Sequence, residues 1–271
     1  MRESLTVRGW DLMEGYFRDV EVLVMSSPAA AGENSVVVGR TGAVWHRKRH
    51  GPGRFGVIAW VGDSGATRAQ VRTLWDEVLR VCAQPHSLAP VEWTLSDGSV
   101  RTCQAELVGE IVPVPLGQRG FRGQLEFSVP GAYWWGATGS ASATVGAALP
   151  TLDSIALTWL APMTAPAEHL TYSIAGTYTS VTIAAPSTGD SFTYTLPSPQ
   201  GGTVLIDSGS GAVTGSGGHV PNPQGLAYTS DRILTVAPGL PGDVPEVTVA
   251  AMNGPNPVDV DVTVAGAVPY L

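Results

Sequence analysis

Two Asp-Ser-Gly triplets are the residues whose type and spacing come nearest to a catalytic signature. One is Asp63-Ser64-Gly65; the other, Asp207-Ser208-Gly209, closes the apolar run Val204-Leu205-Ile206. Two carboxylates sharing one proton, each held in a tight glycine turn at the end of an apolar strand, can cleave a peptide bond by acid–base chemistry. The pattern is incomplete here. Gly62 interrupts the apolar lead-in to Asp63, and no apolar-apolar-Gly segment follows Asp207 to support its loop. Asp63 or Ser64 is more economically a turn residue ahead of a helix, and Asp207 a strand-ending turn. No catalytic residue is assigned, and the chain reads as a non-enzyme.

Other reactive residue types are equally scattered. His46 and His50 flank a basic cluster, His86 follows Pro85, and His169 and His219 fall in expected loops. Neither His169 nor His219 has the His-x-His or His-x-x-x-His spacing of metal ligands. Cys82 and Cys103 are far apart and lack neighbouring ligands, which describes two buried thiols rather than a zinc site. No metal or cofactor is expected. Trp159, Tyr172 and Tyr178 could stack on a sugar ring, although isolated strand aromatics more often pack in a core. The run His46-Arg47-Lys48-Arg49-His50-Gly51-Pro52-Gly53 is the one basic cluster. Without interleaved aromatics or a second basic face it does not describe a nucleic-acid site. Arg47, Lys48 and Arg49 read instead as a solvated hairpin tip or a contact to an acidic neighbouring subunit.

The elements that must position these residues fall into two compositionally different halves. Before Pro130 lie 14 of the 15 Lys and Arg residues and 14 Asp and Glu; after Gly136 one Arg faces nine acidic residues, so the second half carries the whole net charge of -8. Such a step marks two domains, here 1–130 and 137–271, joined by an aromatic seam at 131–136. In that seam Tyr133, Trp134 and Trp135, which form neither a strand of strict alternation nor a helix, are expected to anchor the junction by burying large rings. A charged content of 14% with 33 Gly and 21 Pro describes many short strands between turns, and so few charges hint at assembly. A pI near 5.0 argues against nucleic acid as a partner. No leader is legible at Met1–Leu5, and no apolar run approaches the ~20 residues of a membrane span.

In the first half, strands are expected at Leu5–Trp10, Val20–Met25, Ser35–Gly39, Ala43–Trp45 and Phe55–Val61. A helix over Thr67–Gln84 follows from the stripe Val71, Leu74, Trp75, Val78, Leu79 and Cys82, with a capping box at Thr67 and Gln70 and a stop at Pro85. Val91–Leu95 and Val100–Val112 flank Asp97-Gly98, a hairpin signal. Val112-Pro113-Val114-Pro115-Leu116 reads as an extended, stiff connector, and Phe121–Val129 alternates again. This is an α+β domain of antiparallel strands with one helix. Beyond a weakly specified stretch at 137–150, strands are expected at Ser154–Trp159, Leu170–Ile174, Ser180–Ala184, Ser191–Leu196, Thr203–Asp207, Arg232–Val236, Val244–Ala250 and Val258–Ala265, with Ser208–Gly225 as a long mobile loop. Short strands with Pro and Gly turns describe a jelly-roll β-sandwich.

This order of parts resembles the distal tail protein (Dit) family of long-tailed siphophages. The segment Pro130-Gly131-Ala132-Tyr133-Trp134 is similar to that family's Pro-x-x-Tyr-Trp passage. Gly202-Thr203-Val204-Leu205-Ile206-Asp207 looks like its apolar strand ending in Asp, and Arg232-Ile233-Leu234-Thr235-Val236-Ala237-Pro238-Gly239 like its segment before the penultimate strand. The resemblance implies a mainly β protein with a galectin-like C-terminal sandwich and a structural Asp207. It also implies a homohexameric ring in the virion tail tip, made in the host cytoplasm. The ring would join the tail tube protein to tail-tip, baseplate or receptor-binding proteins. The alternatives are a carbohydrate-binding adsorption module, with a host-surface glycan as partner of the sandwich, and another minor tail protein such as a tube component.

Overall fold

The computed structural model describes residues 3–13, 17–26, 28, 30–31, 35–36, 43–44, 49–62, 65–84, 86–117, 120–146, 152–229, 234–252 and 259–271. The protein is mainly β, with large antiparallel sheets and one α-helix among the described residues. Two compact units divide the chain: Met1–Gly136 with Leu271, and Ala137–Tyr270.

The first unit opens with a hairpin of β1 (Ser4–Val7) and β2 (Trp10–Asp11), in which Val7 pairs with Trp10. Arg8 and Gly9 between them have φ of 52° and 77°, the double positive φ of a turn whose twist matches the strands it joins. The single strand expected over Leu5–Trp10 is therefore two, because the chain reverses at Arg8-Gly9. β3 (Phe17–Ser26) pairs with β8 (Gly53–Gly62). Between them β4 (Ala30–Ala31) pairs with β7 (Arg49–His50), and β5 (Ser35–Val36) with β6 (Ala43–Val44). Asp63, Ser64, Arg47 and Lys48 lie outside the described residues; Arg49 lies in β7.

The helix α1 (Arg68–Cys82) has its expected capping box: Gln70 N–H donates to Thr67 Oγ1 at 3.3 Å and Thr67 N–H to Gln70 Oε1 at 2.9 Å. Val71, Trp75, Val78 and Cys82 are buried and Leu74 and Leu79 half-buried, so the stripe is core. The Trp75 ring lies where a side chain on Gly123 would be, since a Cβ there would meet Trp75 Cη2 at 2.2 Å. Next come β9 (Ala89–Thr94) and β10 (Val100–Val108), whose hairpin turn is held by Asp97 accepting from Ser99 N–H at 2.8 Å and Ser99 Oγ–H at 2.7 Å. β11 (Val114–Pro115) and β12 (Gly120–Val129) follow. β12 pairs with β8 over its full length without a register shift and with the end of β10, while β9 bridges β10 and β1.

The second unit is a two-sheet sandwich. β13 (Trp134–Val145) supplies nine of its twelve residues to this unit. The others are β14 (Leu152–Ala156), β15 (Thr171–Ala175), β16 (Tyr178–Ala185), β17 (Asp190–Gln200), β18 (Thr203–Asp207), β19 (Val213–Ser216), β20 (Leu226–Tyr228), β21 (Glu246–Met252) and β22 (Val260–Tyr270). One sheet has the order β19-β18-β15-β22-β13, the other β14-β21-β16-β17-β20. Inward residues from both, including Tyr172, Ile174, Val181, Ile183, Phe192, Val204, Ile206, Val249 and Val262, form one buried core. Each such large side chain contributes about 1.5–3 kcal/mol by leaving water. Alternation sets the faces: Val204 and Ile206 are buried, whereas Leu205 between them is exposed.

Three expectations for this half are corrected. The weakly specified stretch is largely β13, and that strand begins at Trp134, so the aromatic seam is not free of regular structure. Ser208–Gly225 is no long loop, because β19 pairs back on β18 and Pro223–Gly225 forms a 3-10 turn. Of the strand expected at Arg232–Val236, residues 232 and 233 lie outside the described residues, and the remainder makes only a bridge from Val236 to Ala167.

Candidate functional site

The aromatic segment enters the first unit's core through a strained turn. Ala132 has φ of 65°, and its N–H donates to Val129 O at 2.9 Å. Opposite it, a Cβ at Gly53 would stand 2.7 Å from Ala132 O, so only glycine allows this approach. Trp134, 3% exposed, is flanked edge-on by Phe55 at 5.0 Å and Trp93 at 6.1 Å, and Phe55 stacks on Phe127 at 4.8 Å. Tyr133 is buried and meets the His50 ring at 5.7 Å and the Trp135 ring at 6.2 Å and 86°. Trp135 is half-buried; its carbonyl accepts from Thr102 Oγ1 at 3.3 Å.

Asp207, the strongest enzymatic candidate, is fully used by its own turn. Its carboxylate accepts from Gly209 N–H at 2.9 Å and Ser210 Oγ–H at 2.7 Å, and its carbonyl accepts from Gly211 N–H at 2.8 Å. Ser208 is buried, donating from Oγ to Glu168 O at 2.8 Å and accepting from Leu170 N–H at 3.1 Å, so it is a tie to β15 rather than a nucleophile. Burial works to raise the Asp207 carboxyl, but the hydrogen bonds from Ser210 and Gly209, helped by His169, outweigh it and hold the group below the usual carboxylate range. A carboxyl lowered in the folded state adds stability that is present above its unfolded value of about 3.9 and is lost as pH falls through the folded value. Asp207→Ala is therefore expected to lower the urea midpoint at pH 7, and the gap to the parent protein to close as pH drops below about 4. An equal gap at pH 7 and at pH 2.5 would show that the carboxylate charge has no part in the turn.

The remaining candidates are structural as well. Tyr172 and Tyr178 are wholly buried, and Trp159 is half-buried against β13, where a Cβ at Gly139 would meet its ring at 2.3 Å. The three do not form a sugar-stacking surface. His219 is buried between Tyr178 and Tyr194, with Nε2 at 3.2 Å from Tyr194 Oη. Cys82 and Cys103 are free and buried, and burial pushes both thiols up to about 12. Among the described residues no group of three or more His, Cys, Asp or Glu could hold a metal ion, and no helix is long and apolar enough to cross a membrane.

Two surface features escape sequence reasoning. Register aligns Thr6, Glu92, Thr102 and Trp135 in one row across β1, β9, β10 and β13. With Gln104, Gly131 and Tyr133 this row lines an open cleft of about 480 Å³. The second feature is the arm 111–117, of which the sequence marks 112–116 only as a stiff connector, and on which Val112, Val114 and Leu116 are 62%, 54% and 42% exposed.

The sequence matches no protein-family model and no curated protein. Its fold does have counterparts. Phage SPP1 Dit (gp 19.1), described as a paradigm of the hub adsorption apparatus in phages infecting Gram-positive bacteria, matches over 100% of both chains with a TM-score of 0.62 at 15% identity. Chains of the phage p2 baseplate in its activated conformation, with Ca and with Sr, match at a TM-score of 0.37 and 8% identity over 98% and 99% of each chain, too remote to carry an argument. Over its whole length the chain thus shares the fold of a siphophage distal tail protein, SPP1 Dit.

Proposed function

We propose that the protein is a structural component of a phage tail, a ring-forming hub that joins the tail tube to the host-adsorption apparatus. The observation that carries this reading is the likeness to SPP1 Dit across the whole of both chains, which leaves neither unit unaccounted for. The fates of Asp207, Ser208, Tyr172 and Tyr178 agree with it: the residues best suited to chemistry or sugar stacking are spent on turns and core. The work of such a protein is interface geometry, in which one patch must match a different patch on the next subunit. Its partners are copies of itself in a six-membered ring, the tail tube protein, and tail-tip, baseplate or receptor-binding proteins, all in the virion. In this reading the first unit forms the ring, Tyr133, Trp134 and Trp135 hold the start of β13 in it, and Arg47, Lys48 and Arg49 meet an acidic neighbour. Negative-stain microscopy of the purified chain is expected to show six-fold rings; isolated monomers at high protein concentration would sink the proposal.

A further inference from the structure

We infer that the arm of one copy docks into the aromatic cleft of a second copy, head to tail. The inference rests on the ring-hub reading and names the surfaces that would make the ring. The arm, Ile111–Gly117, carries no charge, and three of its apolar side chains stand in solvent. Leu116 N–H donates to Gly120 O at 2.8 Å, so the amides of Leu116 and Val114 face β12 and positions 113 and 115 face outward. Both outward positions are proline, which has no N–H to give. The edge therefore cannot recruit another strand through its backbone. What it offers is a stiff, extended row of apolar side chains.

The cleft has the complementary chemistry. Trp135 and Tyr133 meet at nearly a right angle and form two aromatic walls, and aromatic-lined grooves are what extended proline-rich segments dock into. Thr6 and Gln104 on its polar side supply donors for the arm's carbonyls, which the prolines leave without neighbouring amides.

Geometry makes the occupant a second copy. The arm is fixed to the start of β12, where Val114 pairs with Arg122 and Pro115 with Phe121. The cleft lies at the other end of that strand, at Val129 and Gly131. β12 is regular throughout its pairing with β8, so the two features are about 25 Å apart at ~3.3 Å per residue. An arm cannot fill its own cleft. Two different patches at opposite ends of one subunit make a heterologous contact, the kind that closes rings.

The test uses the full chain and two substitutions that leave the core alone. Val114→Asp puts a charge on the arm. Gly131→Arg fills the cleft from a position where a Cβ meets nothing within 4 Å, and Gln104→Arg replaces it if circular dichroism shows that the first does not fold. In sedimentation velocity each variant alone is expected to lose self-association by more than tenfold. An equimolar mixture should give a dimer and nothing larger, because only one intact arm and one intact cleft remain. Ring formation by either variant, or monomers in the mixture, overturns the arm–cleft contact while the ring reading stands. A parent protein that is itself monomeric overturns both.

Discussion

Trp134→Ala is expected to destabilise the first unit by about 3–5 kcal/mol, the cost of deleting a buried aromatic whose surroundings cannot collapse. Collapse is blocked on both sides. Phe55 is already stacked on Phe127, and Trp93 is held in β9 between β1 and β10. The indole fills the space between those rings, so its loss leaves a dry cavity walled by aromatics. With a urea m-value of about 1–3 kcal/mol/M, the first unit's midpoint should fall by more than 1 M. Amide hydrogen exchange on β8 and β12 assigns the transition to this unit. Trp135→Ala, at a half-buried position, should cost less than half as much. An anchor that served only to tether the second unit would leave this midpoint where it was. A loss below about 1 kcal/mol would therefore remove Trp134 from the core role assigned to it.

What was legible in the sequence depends on how much local pattern each feature carries. The helix announced itself because stripe, capping box and stop coincide at Thr67–Gln84, and only its last turn differs. β13 was harder because its alternation is written in very small residues. Gly139, Ala141, Ala143 and Val145 turn inward while Thr138, Ser140, Ser142 and Thr144 turn out, a period of two that hydrophobicity alone hardly registers. Gly139 has no side chain because Trp159 lies over it, a contact twenty residues away in the chain. The Arg8-Gly9 reversal was hidden because Arg rarely takes positive φ, and the alternation on either side continues through it. The cleft was not legible at all. Its row joins Thr6, Glu92, Thr102 and Trp135 from four strands, and only register brings them together. The arm was legible as a stiff connector, but exposure, which turns it into a surface, belongs to the fold.

Gly202→Ala is expected to cost the second unit roughly 2–4 kcal/mol through two causes that add. Gly202 has φ of 92°, a region that an alanine enters only under strain. A Cβ there would also stand 2.6 Å from Ser216 O, 2.7 Å from Gly217 O and 2.8 Å from His219 N, all backbone atoms that no rotamer change can move aside. The turn between β17 and β18 is thus pressed against the turn that follows β19, and one must give way. The weaker is Ser216–His219, where Gly217 and Gly218 both have positive φ and a single backbone bond, His219 N–H to Ser216 O at 3.2 Å, closes the loop. Its displacement would draw His219 out from between Tyr178 and Tyr194. That in turn would loosen the Tyr194 hydroxyl, which accepts from Asn222 N–H at 2.9 Å and ties the 3-10 turn to β17. The expected signature is therefore local as well as global: a lower thermal midpoint for the second unit, with amide exchange at Asn222 rising more than at Val181 or Val249 in the sandwich core. If the midpoint falls but Asn222 stays as protected as in the parent, the strain is absorbed in the β17–β18 turn itself. The packing of His219 would then be independent of Gly202.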